Sequence, residues 1–582
     1  MRNPLLMRAL PVLTAGLTVA FLVAPGQPGQ ATTVGHGTTV GGAPPRARVT
    51  GTALAGTLAR SGAAAAPATG LPSKKQQIKV LKAALAKMHK NYSTLSRNEP
   101  GPQDVFDYNV GSLWLKGIDG AGTTVAVIEG WDQPHIASIM AQFDKPLGLP
   151  NPQIQTIFPS GALPKKCPPR MVKLGSYGSC QAWADGELPL DVAAVHLMAP
   201  YAKIVISATP ADTQETDDAA SNVAPPEMMH ALEYISAHHS ANVISISDGT
   251  GETTYPSGPV EITSQDAGEL TAAAAGIPVL VATGDCGVVQ NLAIANNQCG
   301  TTSATPDTAA WDDSPWVTAV GGSVPNLNSH GQKIGPDPVW HVGGIFSEGA
   351  GYSSVFKRPS YQNGVANITR SPMRSVPDIT MDASSGTSQA APLFNGVLAL
   401  ATQVNHGNIG PINPVLYKVL GPKGAKAGIA DVVKGNNSVI VKGKVTVPGF
   451  TASKGFDVAT GWGTVNAASF VPALTAATRA SHEDQAVRKQ AQAQLGMLEH
   501  STRLSVTDIP KGGRSYLLGT GFLPGHPVTF TIDGKKIATL TANTLGDVTY
   551  MIVPSMLGLS PGKHTARLSG MVLTTTTSFS SH

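Results

Sequence analysis

Apolar residues in the middle of this chain follow two alternating patterns. Thr123-Thr-Val-Ala-Val-Ile128, Ala202-Lys-Ile-Val-Ile-Ser207, Val243-Ile-Ser-Ile-Ser247 and Val279-Leu-Val-Ala282 are near-continuous apolar runs without polar alternation. Runs of that length and β-branched content read as strands covered on both faces. Stretches with helical spacing lie between them, at 136–143, 190–197, 226–238 and 266–275. The alternation predicts an α/β body over 101–475, a doubly wound, mainly parallel sheet with helices on both sides.

The pattern changes towards the C-terminus. Residues 476–501 are rich in Gln and Ala and read as a helical linker. In 502–582, Val528, Phe530 and Ile532 alternate with threonines and run into Asp533-Gly534, a hairpin turn signal. Short strands with turn punctuation predict a small β-sandwich of the immunoglobulin type. By analogy with such modules, its expected partner is a surface protein or a glycan.

The N-terminal hundred residues differ again. Arg2 and Arg8 precede a short apolar run, Leu10 to Val23, and Gly29-Gln30-Ala31 offers small residues for cleavage. Residues 1–31 therefore read as a signal peptide, which implies a secreted or cell-envelope location. The run is short for a spanning helix and no later segment is longer, so stable membrane insertion is not expected. Residues 32–100 form a low-complexity stretch followed by a short pro-segment or surface helix, with Ile78, Leu81, Leu85 and Met88 at helical spacing.

Composition narrows the function. The 582 residues are 42% hydrophobic, enough for a large core. The net charge of +4 gives no support for a nucleic-acid partner. Four cysteines, Cys167, Cys180, Cys286 and Cys299, suit two disulfides in an exported chain. Proximity favours Cys167–Cys180 and Cys286–Cys299 among three formal pairings. A four-thiolate zinc site is the rival, but C-x-x-C spacing does not occur.

The sharpest chemical motif is Ser385-Gly386-Thr387-Ser388-Gln389-Ala390-Ala391-Pro392, which runs into an apolar helix. It puts the Ser388 hydroxyl at a helix N-terminus, where N–H groups and the dipole favour an oxyanion. The plainer reading of such a serine is an N-cap. A histidine base would need His36-Gly37-Thr38, which precedes the first core strand and has no aspartate before it in a folded domain. Glu187 and Asp191 are the better candidates. Their spacing of four puts two carboxylates on one helix face, an arrangement that costs about 0.2–0.5 kcal/mol and calls for a reason. Pro189, tolerated in a first turn, predicts that Glu187 sits near the helix start.

With these residues the chain resembles the sedolisin family of serine-carboxyl peptidases, whose fold is subtilisin-like, over residues 101–475. Glu187-x-x-x-Asp191 matches one signature. Thr283-Gly284-Asp285-Cys286-Gly287 matches another, with Thr and Cys in place of two serines. Trp316 to Gly322, Gly349-Ala-Gly-Tyr-Ser-Ser354 and Val376-Pro-Asp-Ile379 match further ones. The resemblance implies a serine-type endopeptidase acting on polypeptides at acidic pH. Ser388 would be the nucleophile, Glu187 the general base, Asp191 its support and Asp285 the donor to the oxyanion. Turn chemistry alone would also explain Asp285. An acidic optimum follows because an ionised glutamate survives at low pH while a donor carboxyl must keep its proton.

The resemblance further implies one structural Ca2+ ion, held by Asp431 and Asp457 and by the carbonyls of Val432, Ser453 and Gly455. Ca2+ takes about 6–8 oxygens, so water would complete the set. A pair of solvated loop carboxylates is the plainer reading. Three departures from the family stand out. The large N-terminal pro-domain is much reduced. Asp382-Ala383-Ser384 runs almost directly into Ser385, where relatives carry a longer excursion near the cleft. Asp248 replaces an uncharged residue beside Ser247, which bears on side-chain preference. The shortened turn is the ground for an alternative function, a catalytically impaired fold used as an extracellular binding module.

Overall fold

The computed structural model describes residues 70–582 apart from short internal stretches, of which 168–178 and 210–225 are the longest. The signal peptide expected over 1–31, and the low-complexity residues up to 69, lie outside the described residues. The description starts at helix α1 (Lys74–Lys90). Its apolar stripe is buried: Leu81, Ala84 and Met88 join the main core. The stretch read as a pro-segment or surface helix thus packs as part of the body.

The body is built on strands β1 (Thr124–Glu129), β2 (Gln153–Ile157), β3 (Lys203–Ala208), β4 (Val243–Ile246), β5 (Val279–Ala282), β6 (Thr318–Ser323) and β7 (Ile379–Asp382). They form one sheet in the order β7-β6-β5-β4-β1-β3-β2, and every pairing is parallel. Crossover helices are α2 (Ile136–Leu147), α3 (Leu188–Met198), α4 (Pro226–Ala237) and α5 (Ala267–Ala275). Helix α6 (Thr387–Asn405) follows β7 and is buried along most of its length.

Burial on both faces explains why the strands lack polar alternation. Val125 and Val127 of β1 point into one core with α3 and α6. Ala126 and Ile128 point into a second core with α4 and α5. The expected α/β body is therefore present, and each of the four apolar runs is a strand of this sheet. Helix α7 (Ala467–Ala480) closes the body and overruns the expected boundary at 475. Helix α8 (Glu483–Leu498) occupies the linker region.

The sheet order reverses direction beside β1. The chain moves outward to β2 and β3 on one side, then returns to β4 on the other. In open parallel sheets such a switch point opens a crevice at the C-terminal strand ends. Glu129 ends β1 there, and Ser247 and Asp248 follow β4.

The C-terminal region is a two-sheet sandwich. Three strands (Arg503–Leu504, Ser515–Gly519 and Val548–Ile552) face five, which include Pro527–Ile532, Lys535–Thr541 and Gly562–Ser569. Their alternating residues, among them Leu517, Val528, Phe530, Ile532 and Leu568, share one core. Asp533 and Gly534 both have positive φ, 49° and 79°, as the hairpin signal predicts. The sandwich meets the body where the Arg514 guanidinium lies 5.8 Å over the Tyr255 ring.

Candidate active site

Glu187 and Asp191 reach the crevice from one helical run. Cys180–Ala182 begins it, Trp183–Glu187 widens into a π turn, and α3 continues from Leu188. Glu187 caps α3 with Pro189 in its first turn, as expected, but the helical run itself begins earlier, at Cys180. The π turn lets the run continue. Pro189 has no N–H for the carbonyl four residues back, and the wider turn absorbs the loss, with Leu188 donating to the Trp183 carbonyl. A disulfide joins Cys167 to Cys180 and pins the start of the run. Cys286 is also disulfide-bonded and no described cysteine is free.

Ser388 is the second residue of α6. Its hydroxyl lies near enough to the Glu187 carboxyl to favour the ionised form. The same hydroxyl lies 3.4 Å from the Ser247 carbonyl. Ser247 in turn donates to Asp191 Oδ2 at 2.8 Å and approaches the Ser388 carbonyl at 3.2 Å. That last contact has a cause in the sequence. Pro392 stands four residues after Ser388 and has no N–H to give to the Ser388 carbonyl. The Ser247 hydroxyl covers the acceptor that proline leaves.

Asp285 lies in the turn after β5. Its Oδ1 accepts the Thr387 N–H at 2.8 Å and the Thr387 hydroxyl at 2.9 Å. Gly386 has φ +93°, and a Cβ there would stand 2.7 Å from Asp285 Oδ2. Only glycine allows both that backbone and that approach. The Asp285 strand end is held by Ser347, whose N–H donates to the Asp285 carbonyl at 2.9 Å. A Cβ on Gly349 would stand 1.8 Å from the Thr283 carbonyl, so the Gly349-Ala-Gly signature is a packing requirement of this turn.

The turn before Ser388 is short but closed. Asp382 Oδ1 accepts the Ser384 N–H at 3.0 Å and its hydroxyl at 2.6 Å. Asp382 Oδ2 accepts Gln389 Nε2 at 3.1 Å, and Gln389 Oε1 accepts the Ser385 N–H at 3.1 Å. With the turn closed in this way, Ser388 stays near enough to Glu187 for its hydroxyl to favour the ionised carboxyl.

Two carboxyls that motif reading did not assign to the site belong to it. Glu129, fully buried at the end of β1, has both carboxyl oxygens without a hydrogen-bond partner. Asp248 accepts the Gly249 N–H through Oδ1 at 2.8 Å, while its buried Oδ2 has no partner. The position of Glu129 at a C-terminal strand end was the available signal.

Burial is the main force on all of these carboxyls and raises each proton affinity. Glu187, Asp191 and Glu129 are raised further by one another's negative charge or by that of neighbouring carboxyls. The Ser388 hydrogen bond works the other way on Glu187 and favours its ionised form. Asp248 is pushed up by burial and by Glu187. Asp285 is pushed up by burial, against the two bonds from Thr387. Such a cluster shares protons, so one member can be ionised while its neighbours stay neutral. That is the condition for a base and an acid to work side by side.

The residues expected to hold calcium also come together. Asp431 Oδ2 accepts the Gly455 N–H at 2.9 Å, and its buried Oδ1 has no partner. Asp457 Oδ2 accepts the Ser453 N–H at 2.6 Å and its Oδ1 accepts the Thr460 N–H at 2.9 Å. Asp431 and Asp457 sense each other's charge. No cluster of three or more His, Cys, Asp or Glu is set for a metal among the described residues. An ion here would rely on backbone carbonyls beside the two carboxylates. The orphaned Asp431 oxygen and the all-oxygen donor set fit a hard cation.

No family model matches the chain. Kumamolisin of Bacillus sp. (strain MN-32) is 29% identical over 373 residues, which span 60% of this chain and 59% of kumamolisin. Sedolisin of Pseudomonas sp. (strain 101) is 30% identical over 220 residues, 34% of this chain and 35% of the relative. Tripeptidyl-peptidase 1 of Homo sapiens is 30% identical over 230 residues, 34% of this chain and 37% of the relative. Among solved structures, Pseudomonas sedolisin, a serine-carboxyl proteinase, matches at 25% identity and a TM-score of 0.49, covering 62% of this chain and 94% of that one. The chain thus spans less than two thirds of the length of these curated relatives.

Proposed function

From the similarity to kumamolisin and sedolisin we propose that this chain is a serine-type endopeptidase of the sedolisin family with a Ser388–Glu187–Asp191 triad. One observation carries the reading: Ser247 hydrogen-bonds both Asp191 and the Ser388 backbone, and the Ser388 hydroxyl lies near enough to Glu187 to favour its ionised form. Glu187 takes the Ser388 proton as the oxygen attacks the scissile carbonyl carbon. Asp285, protonated, donates to the oxygen that becomes negative. Glu187 then passes its proton to the leaving amine as the C–N bond breaks. Water attacks the resulting ester, Glu187 accepts a water proton, and Ser388 Oγ regains a proton as it leaves. Asp191 holds Glu187 in place and is itself held by Ser247.

The same reading sets the pH range. The base must be ionised and Asp285 neutral, which gives a bell with an acidic optimum. An export route fits the N-terminal pattern, so we place the mature protein outside the cell, with the sandwich as an immunoglobulin-type extracellular module. One Ca2+ ion held by Asp431, Asp457 and the carbonyls of Val432, Ser453 and Gly455 would brace the loops behind β7. The alternative of a silent binding fold is not favoured by the contact between Ser388 and Glu187.

The test is digestion of an unfolded protein from about pH 3 to pH 7, spanning the expected bell. The full chain should cut on the acid side, and the Ser388→Ala chain should not cut at any pH. Equal, absent digestion by both would sink the peptidase reading.

A further inference from the structure

The short turn before Ser388 raises a mechanical problem, because only five residues, 383–387, separate the end of a β-strand from the nucleophile. Four fully buried or part-buried groups answer it. Asp382 ends β7 and is fully buried, as is Gln389, the residue after Ser388. Their side chains meet through Gln389 Nε2 and Asp382 Oδ2 at 3.1 Å. The amide is read from both ends. Its oxygen accepts the Ser385 N–H at 3.1 Å, while Asp382 Oδ1 accepts the Ser384 N–H and hydroxyl. The backbone closes the same loop, with Gly386 donating to the Ala383 carbonyl at 2.8 Å and Gln389 to the Gly386 carbonyl at 3.0 Å. Asp382 is further fixed from outside the turn: its N–H donates to the Tyr108 hydroxyl and its carboxyl hydrogen-bonds Asp104.

We propose that Asp382 and Gln389 act as a pair of positioning residues, a side-chain clasp that holds the short turn closed and sets the Ser388 hydroxyl beside Glu187. The inference rests on the peptidase reading above. Neither side chain touches the Ser388 hydroxyl, so their action is on its placement. The polarity of the clasp is one-way. Gln389 must present nitrogen to Asp382 and oxygen to the Ser385 N–H. An amide flip would satisfy neither side, since it sets nitrogen against the Ser385 N–H and oxygen against a carboxylate.

That directionality supplies a test that packing alone would not pass. In Asp382→Asn the new amide can still accept from Ser384 through its oxygen. Its nitrogen then faces the Gln389 nitrogen, and one bond of the clasp must break. Adding Gln389→Glu restores the clasp in reverse, with the asparagine nitrogen donating to a glutamate oxygen and the other glutamate oxygen still accepting from Ser385. The measurement is kcat and KM on one peptide for the full chain, both single variants and the double variant, beside a thermal melt of each.

Asp382→Asn should lower kcat by about 100-fold, the scale of an ångström-sized misplacement, with KM little changed. The double variant should return kcat to within about threefold of the parent, as coupled partners do. If Asp382→Asn fails to fold, the Gln389→Glu single variant carries the comparison, and the double variant should exceed it in kcat. Single variants that match the parent, or a folded double variant no better than either single one, would overturn the clasp and leave the peptidase reading intact. A parent chain that cuts nothing would overturn both.

Discussion

Asp285 hydrogen-bonds Thr387, the residue immediately before the nucleophile, through both the Thr387 N–H at 2.8 Å and its hydroxyl at 2.9 Å. The two bonds occupy Oδ1, and Oδ2 lies against Gly386. Asp285 and Ser388 are thereby held on one hinge, although 102 residues of sequence lie between them.

This geometry makes Asp285→Asn informative. An amide keeps the Oδ1 acceptor for Thr387 and donates from the Oδ2 position at every pH. The alkaline limb of the bell should move to higher pH, because the donor no longer ionises. On the acid limb Asp285 is neutral and puts no charge beside Glu187, so that limb should stay where it is. The kcat/KM profile should therefore broaden on its alkaline side alone. Asp285→Ala, which loses the donor outright, should lose about 100- to 1000-fold in kcat.

Ser247 carries two duties, and its loss should show both. Ser247→Ala leaves the Ser388 carbonyl without the contact that offsets Pro392, and takes a donor from Asp191. Denaturant unfolding should show a loss of about 1–3 kcal/mol, the usual cost of an uncovered buried acceptor. Activity should fall more than stability explains, because Asp191 loses its anchor and Glu187 its support. A variant with full activity per folded molecule would show that Ser247 serves packing alone.

The four central strands were legible in sequence because burial on both faces leaves a simple mark, an unbroken apolar run. The proposed triad was legible because Glu187, Asp191 and Ser388 sit in motifs with fixed spacing. Glu129 was not, since a single acid after an apolar strand has no spacing partner. Its significance arises only where the sheet order reverses and brings β1 beside β4. Pro189 marks the first turn of α3 as read, but nothing in the residues announces the π turn that joins α3 to Cys180–Ala182. The clasp around Asp382 was hidden because it depends on which way two side chains turn, not on their types alone.

The ion pair of Arg374 and Asp378 should be the most costly buried pair to break in the body. Arg374 Nη1 and Nη2 lie 2.7 Å and 2.6 Å from the two Asp378 oxygens, and both side chains are fully buried. Asp378 also accepts from the Ala319 N–H at 2.8 Å, tying the start of β7 to β6, and from the Tyr417 hydroxyl at 2.7 Å. Asp378→Ala strands a buried guanidinium, and chemical denaturation should report a loss of about 3–5 kcal/mol.

Calcium, if bound by Asp431 and Asp457, must raise the melting temperature by linkage. At a free concentration of 100 times the dissociation constant the gain is about 2.7 kcal/mol. Chelation should lower the melting temperature and added Ca2+ should restore it. Asp457→Asn should remove the response, with Mg2+ a poor substitute because it demands a smaller octahedral shell. An identical melt with chelator and with Ca2+ would mean that the two carboxylates serve only the N–H groups they now accept.

Stability should depend on pH in the sense opposite to that of most proteins near neutrality. Glu129, Asp191, Asp248, Glu269, Asp285, Asp313 and Glu348 all have proton affinities raised chiefly by burial. The folded chain therefore binds more protons than the unfolded chain above the ordinary carboxyl range of about pH 4. Where the native state holds the extra proton, raising the pH favours unfolding, by up to about 1.4 kcal/mol per unit and per group. The contribution is complete below the unfolded value and fades as the pH climbs through the folded one. Calorimetry should thus find a higher melting temperature near pH 4 than near pH 7.5, by more than about 5 °C. The burial that raises the proton affinity of Asp285 acts on these other acids as well and makes the fold itself strongest in acid. A melting temperature that instead rose from pH 4 to neutrality would show that these carboxyls are ionised in the native state, and the donor role of Asp285 would go with them.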